Sequence, residues 1–328
     1  METPNQINKR IKGRDVYFER ALFFSWYCGL GDCTFCYMSV QKDGIKDPRK
    51  ARRRFESVFA EAIISKVLKW KIEFVSGGYD SYDFDELVFL VKGIHSITNQ
   101  KQWLNIGTLT KNQLIEMKPY TEGYAGTIET VNWSLRKIVC PSKTMIPIYK
   151  SFQFCDEIGI KKSITLIVGL GETISDFGNL KSFIEENGIV RITFYALNPH
   201  PGTPFNTSPS KEYYSEWISK TREAFPDLEI IAGAWVDKTD YYSAVLQAGA
   251  DHITKIPSVR QFNNDKLKAI TSEIESTGAN FVSKLTDLPE VDWDKKVDEL
   301  DPEIFDEEMK EKIRAKLMSY VKQLNRHK

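Results

Sequence analysis

The chain has 328 residues, enough to bury one large core or two ordinary ones, and its 45 basic and 45 acidic residues balance. That balance offers no net field to recruit nucleic acid or an anionic membrane surface, so neither partner is expected. No segment reaches the roughly 18 apolar residues of a membrane span and the first twenty residues are polar, so the chain is expected to be cytoplasmic, where its five cysteines would serve metal binding or catalysis rather than disulfides.

Residues 1–20 read as an N-terminal extension. Short apolar, β-branched runs then recur at residues 21–26, 71–78, 102–108, 123–130, 161–170, 190–198, 228–235 and 250–257. Between them lie stretches of helical period, at 53–70, 83–97, 175–188 and 213–225. Strand and helix alternating eight times predict an α/β fold, a (β/α)8 TIM-type barrel over residues 21–285, although an open doubly wound sheet alternates in the same way. Beyond 285 the alternation stops. Phe305, Met309, Ile313, Leu317, Tyr320 and Leu324 then form one helical stripe, which predicts a helical tail over 286–328 packed on the outside of the barrel.

Three of the five cysteines, Cys28, Cys33 and Cys36, fall within nine positions in "WYCGLGDCTFCYMS". Gly29 and Gly31 let this loop turn tightly enough to aim three thiolates at one soft metal centre. A structural zinc site is normally closed by four protein ligands, and no fourth lies in the loop. The spacing alone fits an iron–sulfur cluster with one open iron, a zinc ion completed from elsewhere in the chain, or buried thiols.

"CGLGDCTFC", with Phe35 just before its last cysteine, resembles the signature loop of radical S-adenosylmethionine (SAM) enzymes, with four residues rather than the usual three between the first two cysteines. Further stretches resemble the family in chain order. "VSGGYD" is similar to its Gly-Gly-Glu stretch, with Gly77 and Gly78 in place and Tyr79 where Glu is usual. "TIET" offers Glu129 as the acidic position of the biotin synthase-like branch, and "LIVGLGET" puts Ile167, Gly169 and Gly171 on the adenine side of the SAM pocket. "LNPHPGTPF" matches that branch's Pro-Gly-Thr-Pro turn and adds Tyr195 and Asn198. The resemblance implies a [4Fe-4S] cluster on Cys28, Cys33 and Cys36, with SAM on its open iron. It also implies reductive cleavage to a 5'-deoxyadenosyl radical and hydrogen abstraction from a small-molecule substrate, fed by a low-potential electron donor under anaerobic conditions. The substrate is expected near Tyr195, Asn198, Trp235 and Lys255. Relatives pair the SAM carboxylate with an Arg after the acidic position; none is recognised here, and Lys143 or Lys150 is expected to substitute.

Within the superfamily, "SWYC", "FCYMS" and the lengthened cysteine gap resemble the radical SAM proteins of iron-guanylylpyridinol cofactor biosynthesis, in which the gap is five residues rather than four. Sulfur insertion loses ground, because only Cys140 and Cys155 remain for a second cluster. Each motif also has an ordinary reading. Gly-Leu-Gly-Glu serves as a tight strand-to-helix turn and fails as a dinucleotide fingerprint, with Ile174 at the third glycine position. "SGG" is plain turn chemistry and Glu129 could cap a helix. A zinc-bearing barrel and a noncatalytic scaffold remain the competing classes. Cys155 is expected in the core, Cys140 is favoured as structural, and His200 alone of the four histidines sits on a candidate active-site loop.

Overall fold

The structure, a computed structural model, describes residues 11–327. Eight parallel strands occupy the expected runs: β1 Glu19–Phe23, β2 Lys71–Ser76, β3 Gln102–Asn105, β4 Thr121–Glu129, β5 Lys161–Val168, β6 Arg191–Ala196, β7 Glu229–Gly233 and β8 His252–Thr254. They pair in sequence order, and the sheet curls until Phe18, just ahead of β1, bridges Ile253 of β8. A doubly wound sheet reverses its strand order partway. Sequential order with bridged ends is a nearly closed barrel.

Apolar strand residues such as Leu22, Val75, Leu104, Ile128, Leu166 and Phe194 are buried in one continuous core shared with the surrounding helices. Each such side chain contributes about 1.5–3 kcal/mol on burial. The helices are α1 Phe55–Val67, α2 Phe84–Thr98, α3 Lys111–Met117, α4 Trp133–Val139, α5 Met145–Ile158, α6 Phe177–Asn187, α7 Lys211–Ala224, α8 Tyr241–Gln247 and α9 Asp265–Ser276. In α2, the Glu86 carboxylate accepts the Asp83 amide N–H at 2.9 Å, and Leu87, Leu90, Val91 and Ile94 recur at helical spacing on the buried side. Asn99, at φ 56°, ends the helix in the left-handed region that Asn tolerates.

The tail forms α10, Glu307–Leu324, started by Asp306, whose carboxylate accepts the Met309 N–H at 2.7 Å. It packs on α1. Its buried residues include Ile313, Leu317, Val321 and Leu324, so Val321 takes the seam position expected of Tyr320. The Tyr320 hydroxyl instead meets Ser57 Oγ of α1 at 2.7 Å at the margin. Phe305 precedes the helix and packs edge-on against Phe59 of α1, ring centroids 5.1 Å apart.

At the N-terminal end of the ring, Asp15–Val16 and Asn280–Phe281 pair as two parallel two-residue strands, a feature that no apolar run in the sequence announced. Inside the ring at this end, Arg191 is ion-paired with Glu19 and its guanidinium lies 4.9 Å from the centroid of the Trp103 ring. His252 Nε2 meets Lys71 Nζ at 2.9 Å. One layer further in, Glu73 accepts hydrogen bonds from the Tyr195 hydroxyl and the Thr254 hydroxyl.

Candidate active site

The cysteine loop joins β1 to the short helix Tyr37–Gln41 at the C-terminal end of the barrel. Five hydrogen bonds fasten it there. The Gly29 N–H donates to the Tyr79 carbonyl at 2.9 Å, the Thr34 N–H to the Val139 carbonyl at 2.9 Å, and the Ser142 N–H to the Asp32 carboxylate at 3.1 Å. Lys42 Nζ donates to the Gly29 and Leu30 carbonyls at 2.9 and 3.0 Å, turning the loop's carbonyls outward. Gly78 fits under this loop only because it has no Cβ: an added one would lie 1.9 Å from the Tyr27 carbonyl oxygen and 2.6 Å from Cys28 Cα. The glycine pair after β2 is therefore a close backbone approach to the first cysteine.

The motifs converge on one apolar cluster. Val139, Cys140, Leu170 and Leu197 form its buried heart, and Cys33, Phe35, Leu135, Ile167 and Phe205 pack against it. Thus the cysteine loop, the turn after β5 and the loop after β6, far apart in sequence, share one patch. In the turn after β5, Gly169 and Gly171 adopt φ of 111° and 120°, values that L side chains rarely reach. Glu172 holds that turn, its two carboxylate oxygens accepting the Gly169 and Leu170 amides at 2.6 and 2.9 Å. After β6, Asn198 is half-buried, and the Thr203 N–H and hydroxyl both donate to the His200 carbonyl, closing the Pro-Gly-Thr-Pro turn.

Glu129 ends β4 with φ at 68°, a left-handed backbone that a glutamate occupies at a cost of about 1–3 kcal/mol. Its carboxylate accepts a 2.6 Å hydrogen bond from Lys143, and both side chains are nearly buried. Burial works against the Lys143 charge. The Glu129 carboxylate, with Tyr79 and Cys33 beside it, outweighs that and holds the lysine above its ordinary pKa. Burial likewise raises the Tyr79 phenol, which faces Lys143, Cys28, Glu129 and Cys33. Tyr79 therefore stands in the space bounded by the cysteines and the acidic residue.

Of the two lysines expected to take the SAM carboxylate, Lys143 stands at the site, ion-paired with Glu129 and with N–H donors to spare, whereas Lys150 is an exposed residue of α5. An arginine does follow the acidic position: Arg136, buried in α4. Its Nε donates to the Ile128 carbonyl at 2.8 Å and its Nη1 to the Lys143 carbonyl at 2.6 Å, while Nη2 is buried with no partner among the described residues. The seven-residue spacing from Glu129 could have exposed it, but α4 is short and carries no apolar stripe to mark it as a helix.

The three thiols are half-buried and free. The Cys33 thiol is held well above the usual thiol range, first by its hydrogen bond with the Cys140 thiol and then by burial. Burial also pushes Cys36 up, against the pull of the Met38 and Ser39 amides. Protonated, crowded thiols of this kind ionise when a metal centre binds them. Cys140 thus reaches the site rather than serving the packing alone, whereas Cys155 is fully buried in the main core. His200 stands at the mouth, 5.5 Å from the Tyr37 ring.

The donor set separates cluster from single ion. Among the described residues, the His, Cys, Asp and Glu groups whose ligand atoms all lie within 4.8 Å of one another comprise only Glu19, Glu229 and His252, at the opposite end of the barrel. The cysteine sulfurs are spread more widely than that. Zinc bonds of about 2.3 Å would draw three sulfurs to roughly 3.8 Å apart, closer than these three stand. In a cluster held by the three loop thiols, with the Cys140 thiol hydrogen-bonded to Cys33, one iron is left exposed beside the strained carboxylate.

A family model described as the radical SAM superfamily matches residues 25–184. An uncharacterized protein of Methanocaldococcus jannaschii is 40% identical over 329 aligned positions, 96% of this chain and 91% of its own length. A biotin synthase of Methanococcus aeolicus is 27% identical over 52% of this chain and 53% of that protein. A crystal structure of methylornithine synthase shares the fold, with a TM-score of 0.70 over 85% of this chain and 87% of that one at 19% identity. No described helix is long and apolar enough to cross a membrane. The chain belongs to the radical SAM superfamily, with biotin synthase-like relatives, and is a radical SAM enzyme of a family whose cofactors are a [4Fe-4S] cluster and SAM.

Proposed function

We propose that Cys28, Cys33 and Cys36 hold the cluster and that the mouth of the barrel binds SAM on its open iron. The observation that carries this reading is the convergence of Cys33, Phe35, Ile167, Leu170 and Leu197 on one patch beside a strained Glu129. When bound, the cluster and SAM together supply a 5'-deoxyadenosyl radical that removes a hydrogen atom from an unactivated carbon. The chain's own residues orient, shield and complement charge. The backbone of Gly77, Gly78 and Tyr79 meets the SAM amino group, and Glu129 takes a further SAM contact from the strained end of β4. Lys143, with donors beyond its bond to Glu129, and Arg136, whose buried Nη2 has no partner among the described residues, are the cations proposed for the SAM carboxylate. Ile167, Gly169 and Gly171 line the adenine side. The patch around Leu170 and Leu197 excludes water from the reacting groups.

The substrate is a small molecule in the barrel interior, near Tyr195, Asn198, Trp235 and Lys255. The chain is cytoplasmic in this reading and takes electrons from a low-potential donor. Within the barrel's 21–285 span, the three cysteines follow β1, Gly77 and Gly78 follow β2, Gly169 and Gly171 follow β5 and Asn198 follows β6, on the face on which such barrels assemble their sites. Anaerobic purification tests the proposal: about four irons per chain and release of 5'-deoxyadenosine with dithionite and SAM support it, and a colourless zinc protein rejects it. The finer reading, biosynthesis of the iron-guanylylpyridinol cofactor, is supported by the residues flanking the cysteine loop. Cells lacking this chain should lose that cofactor; an unaltered cofactor level rejects the assignment.

A further inference from the structure

Lys255 follows the last strand of the barrel and is held with φ at 73°, a backbone conformation that a lysine adopts only under constraint. Its side chain is solvent-accessible, and Glu73 inside the ring and Cys36, Glu129 and His200 at the mouth lie near enough for their charges and its own to act on one another. The lysine therefore stands over the barrel mouth. Its ammonium lies 4.8 Å from the centroid of the Tyr195 ring. That ring is fixed in turn, because the Tyr195 hydroxyl donates to Glu73. Gly233 on the neighbouring strand makes room for the pair: a Cβ there would fall 2.9 Å from Tyr195 Cδ1 and 3.0 Å from Lys255 Cβ.

Glu73, the obvious counter-charge, is already committed. Its two carboxylate oxygens accept from Tyr195 and Thr254, and no carboxylate among the described residues lies within ion-pairing distance of Lys255. An accessible cation beside an aromatic wall, with no carboxylate in ion-pairing distance among the described residues, is free to take an anion from the ligand. SAM brings one carboxylate of its own, which the proposed function places beside Glu129 and the residues after β4, so the test below separates that anion from the substrate's. Lys255 is one positive charge, and Glu129 nearby is already paired with Lys143, so a singly charged anion balances this space more closely than a dianion such as phosphate.

We propose that Lys255, backed by Tyr195, is the recognition residue for a carboxylate on the substrate, which places the enzyme's substrates among small carboxylic acids. This rests on the proposed radical SAM site but is tested apart from turnover. The probes are propanoate, glutarate and L-norleucine, each beside its amide, followed by saturation-transfer NMR on the anaerobic, SAM-bound protein. The wild type should bind at least one acid in preference to its amide. Lys255→Met should weaken that acid about tenfold, the size of one charge-assisted hydrogen bond, and Lys255→Arg should retain it and so report a folded protein. Equal binding of acid and amide, acid binding that persists in Lys255→Met, or no acid bound by the wild type overturns the proposal. So does a tenfold loss of SAM affinity in Lys255→Met by calorimetry, which would assign the cation to SAM. Iron content and 5'-deoxyadenosine release, measured in the same preparations, report separately on whether the radical SAM site itself stands.

Discussion

Both ends of this barrel carry buried charge, and they use it differently. At the N-terminal floor, Arg191 is paired with Glu19 and stacked on Trp103, and His252 meets Lys71. The strand residues there keep negative φ, and Glu19 meets Arg191 with one carboxylate oxygen while the other, Oε1, is buried without a hydrogen bond among the described residues. At the C-terminal mouth, Glu129 and Lys255 sit at positive φ, Arg136 Nη2 is buried without a partner among the described residues, and three loop thiols are free, one of them hydrogen-bonded to the Cys140 thiol. A buried charge satisfied within the chain serves the fold, whereas a strained or open one is stable only when something else completes it. Charge alone would not separate the two ends. Left-handed backbone at Glu129 and Lys255, on the side of the thiols, does.

Removing a thiol from the mouth should have the largest effect. Cys33→Ala is expected to drop anaerobic iron from about four per chain to background, and Cys140→Ser to keep it. Equal iron loss in both would make Cys140 a fourth ligand and erase the open corner. Next comes Gly78→Ala, whose new methyl meets backbone that cannot move without shifting Cys28. It should cost about 1–3 kcal/mol in thermal unfolding and lower the bound iron, while Gly44→Ala, with nothing within 4 Å, does neither. Glu129→Gln should weaken SAM about tenfold by calorimetry, and unchanged affinity would remove it from the SAM site.

The smallest expected effect belongs to the floor. Burial lifts the Glu19 carboxyl from 4.5 to about 7, with the Arg191 charge pulling the other way. A raised carboxyl contributes stability that is fully present below its unfolded value and is lost as pH climbs through its folded one. Urea unfolding should therefore show the wild type losing ground to Glu19→Gln between pH 5 and 7.5, with SAM affinity the same in both. Parallel pH curves would mean that Glu19 is already ionised in the fold. A change in SAM affinity would mean that the two ends are coupled.

The wall of the barrel was legible because its strands are short apolar runs and several of its helices keep a clear apolar stripe. The floor was not: Glu19, Glu73 and Arg191 point polar groups into the ring and break the apolar pattern at the positions that matter most there. The first strand accordingly begins at Glu19, two residues before its apolar run. At the mouth, cysteine spacing and glycine turns are local signals that survive in one dimension. Arg136 escaped notice because its role depends on which of its donors the fold leaves open, and Cys140 because its neighbour Cys33 is more than a hundred residues away in the chain.

The eight-stranded ring is fastened at one point by little more than the Phe18–Ile253 bridge, with the Ile253 N–H on the Tyr17 carbonyl at 3.1 Å and the Thr254 hydroxyl on the Glu19 carbonyl at 2.9 Å. Elsewhere, as between β4 and β5, neighbours are laced along most of their length. A hoop with one thin clasp yields at the clasp first, so the Ile253 amide should exchange with heavy water ahead of those in β5. Lys255 lies two residues beyond that clasp, and any loosening there swings its ammonium with it.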